Sequence, residues 1–332
     1  AEEAQQAVME LIGSVLPVAA DLSRRNIEQL LAARGSVGAI ALLGLLWSAS
    51  GVFTAIYRAV NRAWGNAKSR LFLKEKLFGL AVVLAVGLML LAAPRTAASV
   101  EPGQFVHLRI AEGADFILRR PFSVYRAAAG RIEILYQVIG RGTRAMAEAP
   151  VGAEMDLIGP LGRGWWIPEG VAHALLVAGG LGVAPLAMLA AELAGRGVAV
   201  TLAQGAPSAG RLLARELFEQ VCRRTAYATD DGSEGACGFV TELTPELLVA
   251  DRPDVVYACG PEPMQRIVAA QARAADVPCQ VSLERLMACG VGACLSCVVS
   301  TTSGRKRACV DGPVFDAAEV LWEPAEDPEV HS

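Results

Sequence analysis

Four cysteines near the C-terminus, Cys289, Cys294, Cys297 and Cys309, have the type and spacing to do chemistry together. Three fall in "CGVGACLSC" and the fourth follows in "RACVDG", giving C-x4-C-x2-C and then a more distant cysteine. That is the plant-type spacing for a [2Fe–2S] cluster. A loop that offers three thiolates must fold tightly around the sulfurs with its N–H groups turned inward, and Gly290, Gly292 and Ala293 permit that path. The fourth thiolate returns after "VVSTTSGRKRA", which reads as a hairpin with its turn at Ser303-Gly304. A structural zinc site is the rival, but zinc ligands usually come as two well-separated pairs about two to four residues apart. Iron and sulfur are therefore the expectation. Cys222, Cys237 and Cys279 read as small core residues.

Glycine-rich and basic segments upstream suit a flavin and a dinucleotide. "RRPFSVY" (119–125) is an extended stretch whose alternation sends Arg120 and Phe122 to one face and Ser123 to the other. Arg120 is then placed to hold a pyrophosphate while its neighbours contact a flavin ring. "GRGT" (140–143) supplies flexible backbone and a helix N-cap at Thr143, where phosphate is favoured. "GPLGRGW" (159–165) is a third glycine loop. In "VAGGLGVAPL" (177–186), Gly179, Gly180 and Gly182 sit between a strand and a helix, where a dinucleotide can approach the backbone, although the G-x-G-x-x-G spacing is missing. "YACGPEPM" (257–264) places a second such loop, at Cys259 and Gly260, on the carboxyl edge of the same sheet. Each segment alone could be an ordinary turn. Their order along the chain carries more weight than any one of them. No catalytic triad or paired carboxylates stand out, and His107, His173 and His331 read as surface or packing residues, so no acid–base catalytic residue is assigned.

The elements that must position these groups form a multidomain chain. Short alternating runs such as "FVHLRI" (105–110) and "IEILYQVIG" (132–140) predict an antiparallel β-barrel over 95–170. The apolar run "ALLVA", the helical stretch "APLAMLAAELAGRG", then "VAVTLAQG" and "DVVYACG", predict an α/β domain with a parallel sheet over 171–275. A small [2Fe–2S] domain follows over 276–325. The formal net charge of −4 provides no basic excess, which argues against nucleic acid as a partner.

Residues 101–322 strongly resemble the electron-transfer subunit of heterodimeric, NAD-linked (class 1B) dihydroorotate dehydrogenases, a branch of the ferredoxin reductase superfamily. The matching stretches are "PGQFVHLRI", "RPFSVY", "QVIGRGT", "GPLGRGW", "LVAGGLGVAPL", "ATDDGS", "YACGPEPM" and, most specific, "CQVSLERLMACGVGACLSCVV" with "RACVDGPVF". The resemblance implies that FAD contacts Arg120, Pro121, Phe122 and Ser123, then Leu135, Tyr136 and Gln137, and Gly142 with Thr143. It implies NAD(H) over Gly179 to Gly182 and near Cys259 and Gly260, and a [2Fe–2S] cluster on the four cysteines. Electrons would pass between NAD(H), FAD and the cluster, and on to FMN in a separate catalytic subunit that oxidises dihydroorotate to orotate in pyrimidine biosynthesis, within a heterotetramer. The chain itself would do no chemistry on dihydroorotate. Such a relay makes physical sense, because a hydride carries two electrons, a cluster accepts one, and a flavin can convert between them. An enzymatic alternative is a subunit of the sulfide dehydrogenase or NAD(P)H:ferredoxin oxidoreductase type.

The N-terminal third has another character. Uncharged runs at 35–57 and 77–94 predict membrane-type α-helices, within a partial membrane segment over 1–94, and residues 1–34 suggest an amphipathic helix. "LLWSASGVFTAIYRAVNRAW" (45–64) resembles a stretch of the YihY/BrkB family of bacterial inner-membrane proteins. The rival reading from another class is accordingly a transport or envelope protein fragment with a non-functional tail. The loop 58–76, rich in Lys and Arg, belongs in the cytoplasm, and a second span would then deliver residue 95 onward to the outside, away from NAD. Either the second run does not span, or the chain is a junction of two unrelated gene pieces; the junction is the expectation, with a flavin barrel truncated at its start. The flavin and iron–sulfur part is expected in the cytoplasm, tethered to the inner membrane by the N-terminal helices.

Overall fold

The structure is a computed structural model that describes residues 86–110 and 118–322. The candidate span 35–57, the amphipathic stretch 1–34 and His331 lie outside the described residues. The chain divides into compact units between residues 84 and 85, ahead of the boundary expected at 94.

The described part of the second candidate span, 86–94, is corrected, and 77–85 lie outside the described residues. Val86–Ala92, the run "VGLMLLA", forms strand β1, which pairs antiparallel with β5 (Arg131–Gln137) along its whole length, from Val86 opposite Gln137 to Ala92 opposite Arg131. A short apolar run has no periodicity that separates helix from strand. The edge of β5 decides here, since its backbone N–H and C=O groups would otherwise go unpaired. Among the described residues no helix is long and apolar enough to cross a membrane. The start of the barrel is thus occupied by β1.

The barrel is built from two three-stranded antiparallel sheets. One has the order β1-β5-β4, with β4 at Arg126–Ala128; the other has β3-β2-β6, with β2 at Phe105–Arg109, β3 at Arg120–Ser123 and β6 at Asp156–Leu161. A short helix α1 (Pro94–Ser99) connects β1 to β2, and α2 (Arg141–Glu148) connects β5 to β6. Along β5, Ile132, Ile134 and Tyr136 turn inward while Leu135 and Gln137 are half-buried on the other face, as period-two alternation requires. β1 shows Leu88 and Leu90 to solvent, and a Cβ built on Gly87 would lie 2.4 Å from Tyr136 Cζ. Gly87→Val is therefore expected to push Tyr136 off its seat and destabilise the barrel by about 1–3 kcal/mol, the usual cost of overpacking. Thermal unfolding together with flavin content checks this, and an unchanged melting curve with full flavin would refute it.

The second domain is organised around a seven-stranded sheet of order β10-β9-β8-β7-β11-β12-β15. Its strands are β7 (His173–Gly179), β8 (Ala199–Ala206), β9 (Arg224–Thr229), β10 (Ala236–Cys237), β11 (Val255–Cys259), β12 (Cys279–Ser282) and β15 (Val314–Asp316). Neighbours pair in parallel except β15, which adds antiparallel to β12. Helices α3 (Ala184–Gly195), α4 (Arg215–Val221), α5 (Val240–Asp251) and α6 (Glu262–Ala274) connect the strands. β7 is buried on both faces, which accounts for its unbroken apolar run. Strand order reverses between β7 and β11, and the crevice at such a point is where sheets of this kind bind ligands.

Because β12 pairs with β11, residues 279–282 belong to the nucleotide sheet, and the boundary expected at 275/276 moves past Ser282. The cluster module after it contains the hairpin β13 (Val298–Thr301) and β14 (Gly304–Arg307). Its two-residue turn is Thr302-Ser303, one position before the expected Ser303-Gly304, and Gly304 opens β14 at φ +104°. Cys279 is buried but Cys237 is exposed, because its two-residue strand lies at the sheet's outer edge. His173 is a packing residue, with Nδ1 2.8 Å from the Asp251 carbonyl and Nε2 2.9 Å from Thr201 Oγ1.

The loop 162–166 ties the three modules together. Arg163 N–H donates to the Gly312 carbonyl of the cluster module, and Trp165 N–H donates to Pro102 O at 2.8 Å in the barrel. The Trp165 indole donates to Pro185 O at 3.0 Å and meets the Tyr257 ring edge to face. Gln280 holds the Trp166 peptide at both ends, accepting from its N–H at 3.2 Å and donating to its carbonyl at 2.7 Å. A side chain that pairs both backbone groups of one residue leaves the loop little freedom.

Candidate functional site

On the flavin side, β3, β5 and α2 bring the three expected segments together. The Arg120 side chain runs across α2, where a Cβ on Gly142 would come within 2.5 Å of its Nε. Phe122 meets Tyr136 edge to face, with ring centroids 6.4 Å apart. Leu135 packs against the core of the nucleotide domain, whereas Tyr136 points the opposite way, into the barrel, where burial raises its pKa. Tyr136 therefore supports Phe122 from beneath and does not share a face with Leu135 and Gln137. Thr143 is also corrected: the N-cap is Gly140, whose extended backbone ends the preceding segment, and Thr143 sits in the first turn. Its hydroxyl accepts from the N–H groups of Ile139 at 3.0 Å and Gly140 at 3.2 Å.

On the nucleotide side, β7 runs into a 3-10 turn, Gly180–Val183, and then α3. β11 runs through Gly260 and Pro261 into α6. The two loops meet. A Cβ on Gly182 would lie 2.0 Å from the Cys259 carbonyl oxygen, and one on Gly179 would lie 2.7 Å from Met264 Sδ. Gly179 and Gly182 are thus explained by packing against the second loop. Gly180, at φ +54°, has open space beside it. Burial pushes the Cys259 thiol up to about 12, so it stays protonated at neutral pH. Strand β5 packs beside the 180–183 turn, which sets the expected flavin strand next to the expected dinucleotide loop.

In the cluster loop, the Cys289 sulfur accepts from the N–H groups of Val291 at 3.5 Å and Cys294 at 3.4 Å, and the Cys309 sulfur accepts from Gly292 N–H at 3.2 Å. Gly290 and Gly292 have φ of +73° and +80°, the left-handed backbone that aims these amides inward. Arg307 fixes the loop from outside, bonding Asp311 through Nε at 3.2 Å and the Gly292 carbonyl through Nη1 at 3.3 Å. Cys294 lies beside Cys289, and Cys309 lies beside Cys297 with Cys289 also near. Among the described residues no group of three or more His, Cys, Asp or Glu side chains is gathered closely enough to hold a metal ion. In a two-iron cluster each iron takes two thiolates, a demand that four cysteines at this spacing can meet. Cys297 and Cys309 are buried, and burial pushes the Cys309 thiol up to about 12. A thiolate buried there needs a bound metal to offset its desolvation. Cys294 is exposed, and hydrogen bonding from Ser296 lowers its thiol to about 6.

Sequence reasoning missed Gln280 in this region, and it read His107 only as a surface or packing residue. Gln280 is a polar residue between apolar neighbours in "CQVS", and His107 likewise in "FVHLR"; that placement was the only local signal. His107 is fully buried between the barrel and the cluster loop, and desolvation lowers its pKa.

Fold and site together define a flavin- and nicotinamide-type reductase carrying an iron–sulfur module. Comparison with known proteins agrees. Residues 284–321 match the iron–sulfur cluster binding domain of dihydroorotate dehydrogenase B, and 176–270 match the oxidoreductase NAD-binding domain. The electron transfer subunit of dihydroorotate dehydrogenase B (NAD(+)) from Desulforamulus reducens is 40% identical over 237 residues, covering 70% of this chain and 90% of that one. The same subunit from Bacillus caldolyticus is 42% identical over 228 residues, covering 67% and 87%. A solved NADH-dependent reduced ferredoxin-NADP oxidoreductase superposes with a TM-score of 0.66 at 32% identity, covering 71% of this chain and 85% of that one. The chain belongs to the family of dihydroorotate dehydrogenase B electron transfer subunits, and it is an oxidoreductase subunit. Residues 1–146 also match virulence factor BrkB, a match that runs across strands lying in the reductase barrel.

Proposed function

We propose that this chain carries electrons between NAD(H) and the FMN of a dihydroorotate dehydrogenase catalytic subunit, through FAD and a [2Fe–2S] cluster, on the cytoplasmic side where NAD(H) is present. The observation that carries this reading is the order of contacts: the 180–183 turn lies beside β5, and β2 of the same barrel touches the cluster loop at Gly290. FAD, when bound, accepts two electrons together and releases them singly. Arg120 and the first-turn amides of α2 hold its pyrophosphate. Phe122, Ser123, Leu135 and Gln137 border its ring, and Tyr136 keeps Phe122 in place. Gly180, Cys259 and Gly260 would hold NAD(H), beside β5.

Cys289, Cys294, Cys297 and Cys309 would hold the cluster, which would supply one-electron transfer. The rim formed by the exposed residues Val291, Cys294 and Leu295 faces the partner subunit. The protein's contribution is placement: the 162–166 loop, bonded to all three modules, keeps the distances between carriers short and fixed. The test is an absorption spectrum of the full chain purified anaerobically in detergent, with iron and flavin assayed and NADH then added. Flavin and cluster bands that both bleach with NADH are expected. A colourless protein would overturn the reading.

A further inference from the structure

His107 lies in the middle strand of its sheet, opposite Pro121 of β3 on one side and Ile158 of β6 on the other. Its side chain leaves the barrel and enters the cluster loop. A Cβ on Gly290 would lie 2.5 Å from its Nδ1 and 3.2 Å from its Cγ, so only glycine fits against the ring at that point. Backbone acceptors of Cys289, Met287 and Arg119 surround the imidazole. Neither ring nitrogen meets a partner at full hydrogen-bond geometry, although the residue is completely buried. A buried ring with two unsatisfied nitrogens is unfavourable unless a small closure of the surrounding backbone supplies the missing bond.

We propose that His107 is a positioning residue that donates to the backbone of the Met287–Cys289 arm and thereby sets the N–H···S bonds around the cluster. This rests on the relay reading of the chain. The path of contacts is short: the ring bears on Cys289 and Gly290, and the following amides of Val291 and Gly292 donate to the sulfurs of Cys289 and Cys309. Hydrogen bonds to the sulfurs are among the levers that set a cluster's reduction potential. Because the same residue is paired through its backbone with Pro121 in the expected flavin strand, it also holds the cluster arm at a fixed distance from that strand. A leucine would fill the volume without an N–H, while a glutamine keeps a donor.

The experiment uses the full chain and its His107→Leu and His107→Gln variants, purified anaerobically. It reads the iron-to-flavin ratio, the EPR spectrum of the reduced cluster, the midpoint potentials of cluster and flavin, and the rate of iron loss to a chelator. His107→Leu is expected to keep its flavin and flavin potential, to shift the EPR spectrum and cluster potential, and to lose iron about 10-fold faster, the low end for removing a group that supports a ligand. His107→Gln should recover most of the wild-type signature. A leucine variant with wild-type spectrum, potential and iron retention overturns the proposal, as does equal loss of flavin and iron that glutamine does not rescue, which would mark a folding role alone. Absence of iron from the wild-type chain would instead sink the relay reading itself and this proposal with it.

Discussion

Cys309→Ser is expected to abolish electron delivery to the partner while leaving reduction of the flavin by NADH intact. Cys309 is buried beside Cys297, and its sulfur receives the Gly292 N–H. As the expected fourth ligand, just after β14, it would close the cluster site, and its loss would remove half the ligation of one iron. The flavin segments on β3 and β5 and the glycine turn at 180–183 make no use of it. Loss of an outer supporting group costs metal sites about 10–100-fold, and losing a ligand should exceed that, so transfer to a one-electron acceptor should fall by more than about 100-fold. Anaerobic stopped-flow with NADH separates the two steps: the flavin band should bleach at the wild-type rate with no cluster signal behind it. A variant that keeps full iron and an unchanged EPR spectrum would remove Cys309 from the ligand set.

The second large effect is expected at Gly182. A Cβ there would stand 2.0 Å from the Cys259 oxygen and 2.4 Å from its carbonyl carbon, and both belong to backbone that cannot rotate away. Gly182→Val must force the β7 and β11 loops apart at the switch point of the sheet. Displacing a positioned reactant by about 1 Å can cost about 100-fold in rate, so NADH-driven flavin reduction should fall by about that factor with flavin and iron contents unchanged. Gly180 provides the contrast, since a side chain there meets open space and only its φ of +54° resists substitution. Gly180→Val should fold, and it should slow NADH-driven reduction only if the dinucleotide occupies that space. Wild-type kinetics in Gly182→Val would show that the loop contact does not matter to hydride transfer.

Much of this chain is legible in its local chemistry. The cysteine spacing names a two-iron cluster because ligation geometry demands closely spaced thiolates on a tight loop, and the loop folds with its amides turned to the sulfurs. The strands at 105–109, 131–137, 173–179, 199–206 and 255–259 follow from alternation or unbroken apolar runs bounded by glycine. The order of glycine loops locates the carboxyl edge of the parallel sheet.

What only the tertiary structure decided depends on residues far apart in sequence. "VGLMLLA" is apolar whichever element it forms, and it became a barrel strand because β5 had an edge to pair, a fact no window around residue 86 contains. Gly179 and Gly182 looked like places for a dinucleotide, yet their missing side chains make room for a loop about eighty residues on in the chain, as parallel-sheet topology requires of neighbouring strands. Strand β12 looked like the start of the cluster module until its pairing with β11 placed it in the nucleotide sheet. His107 and Gln280 were single polar residues in apolar strands, and their roles emerged only when the cluster loop and the Trp166 peptide folded onto them. Local spacing fixes which atoms can ligate or turn; long-range pairing fixes what those atoms face, because backbone groups and buried polar atoms must find partners wherever the chain brings them.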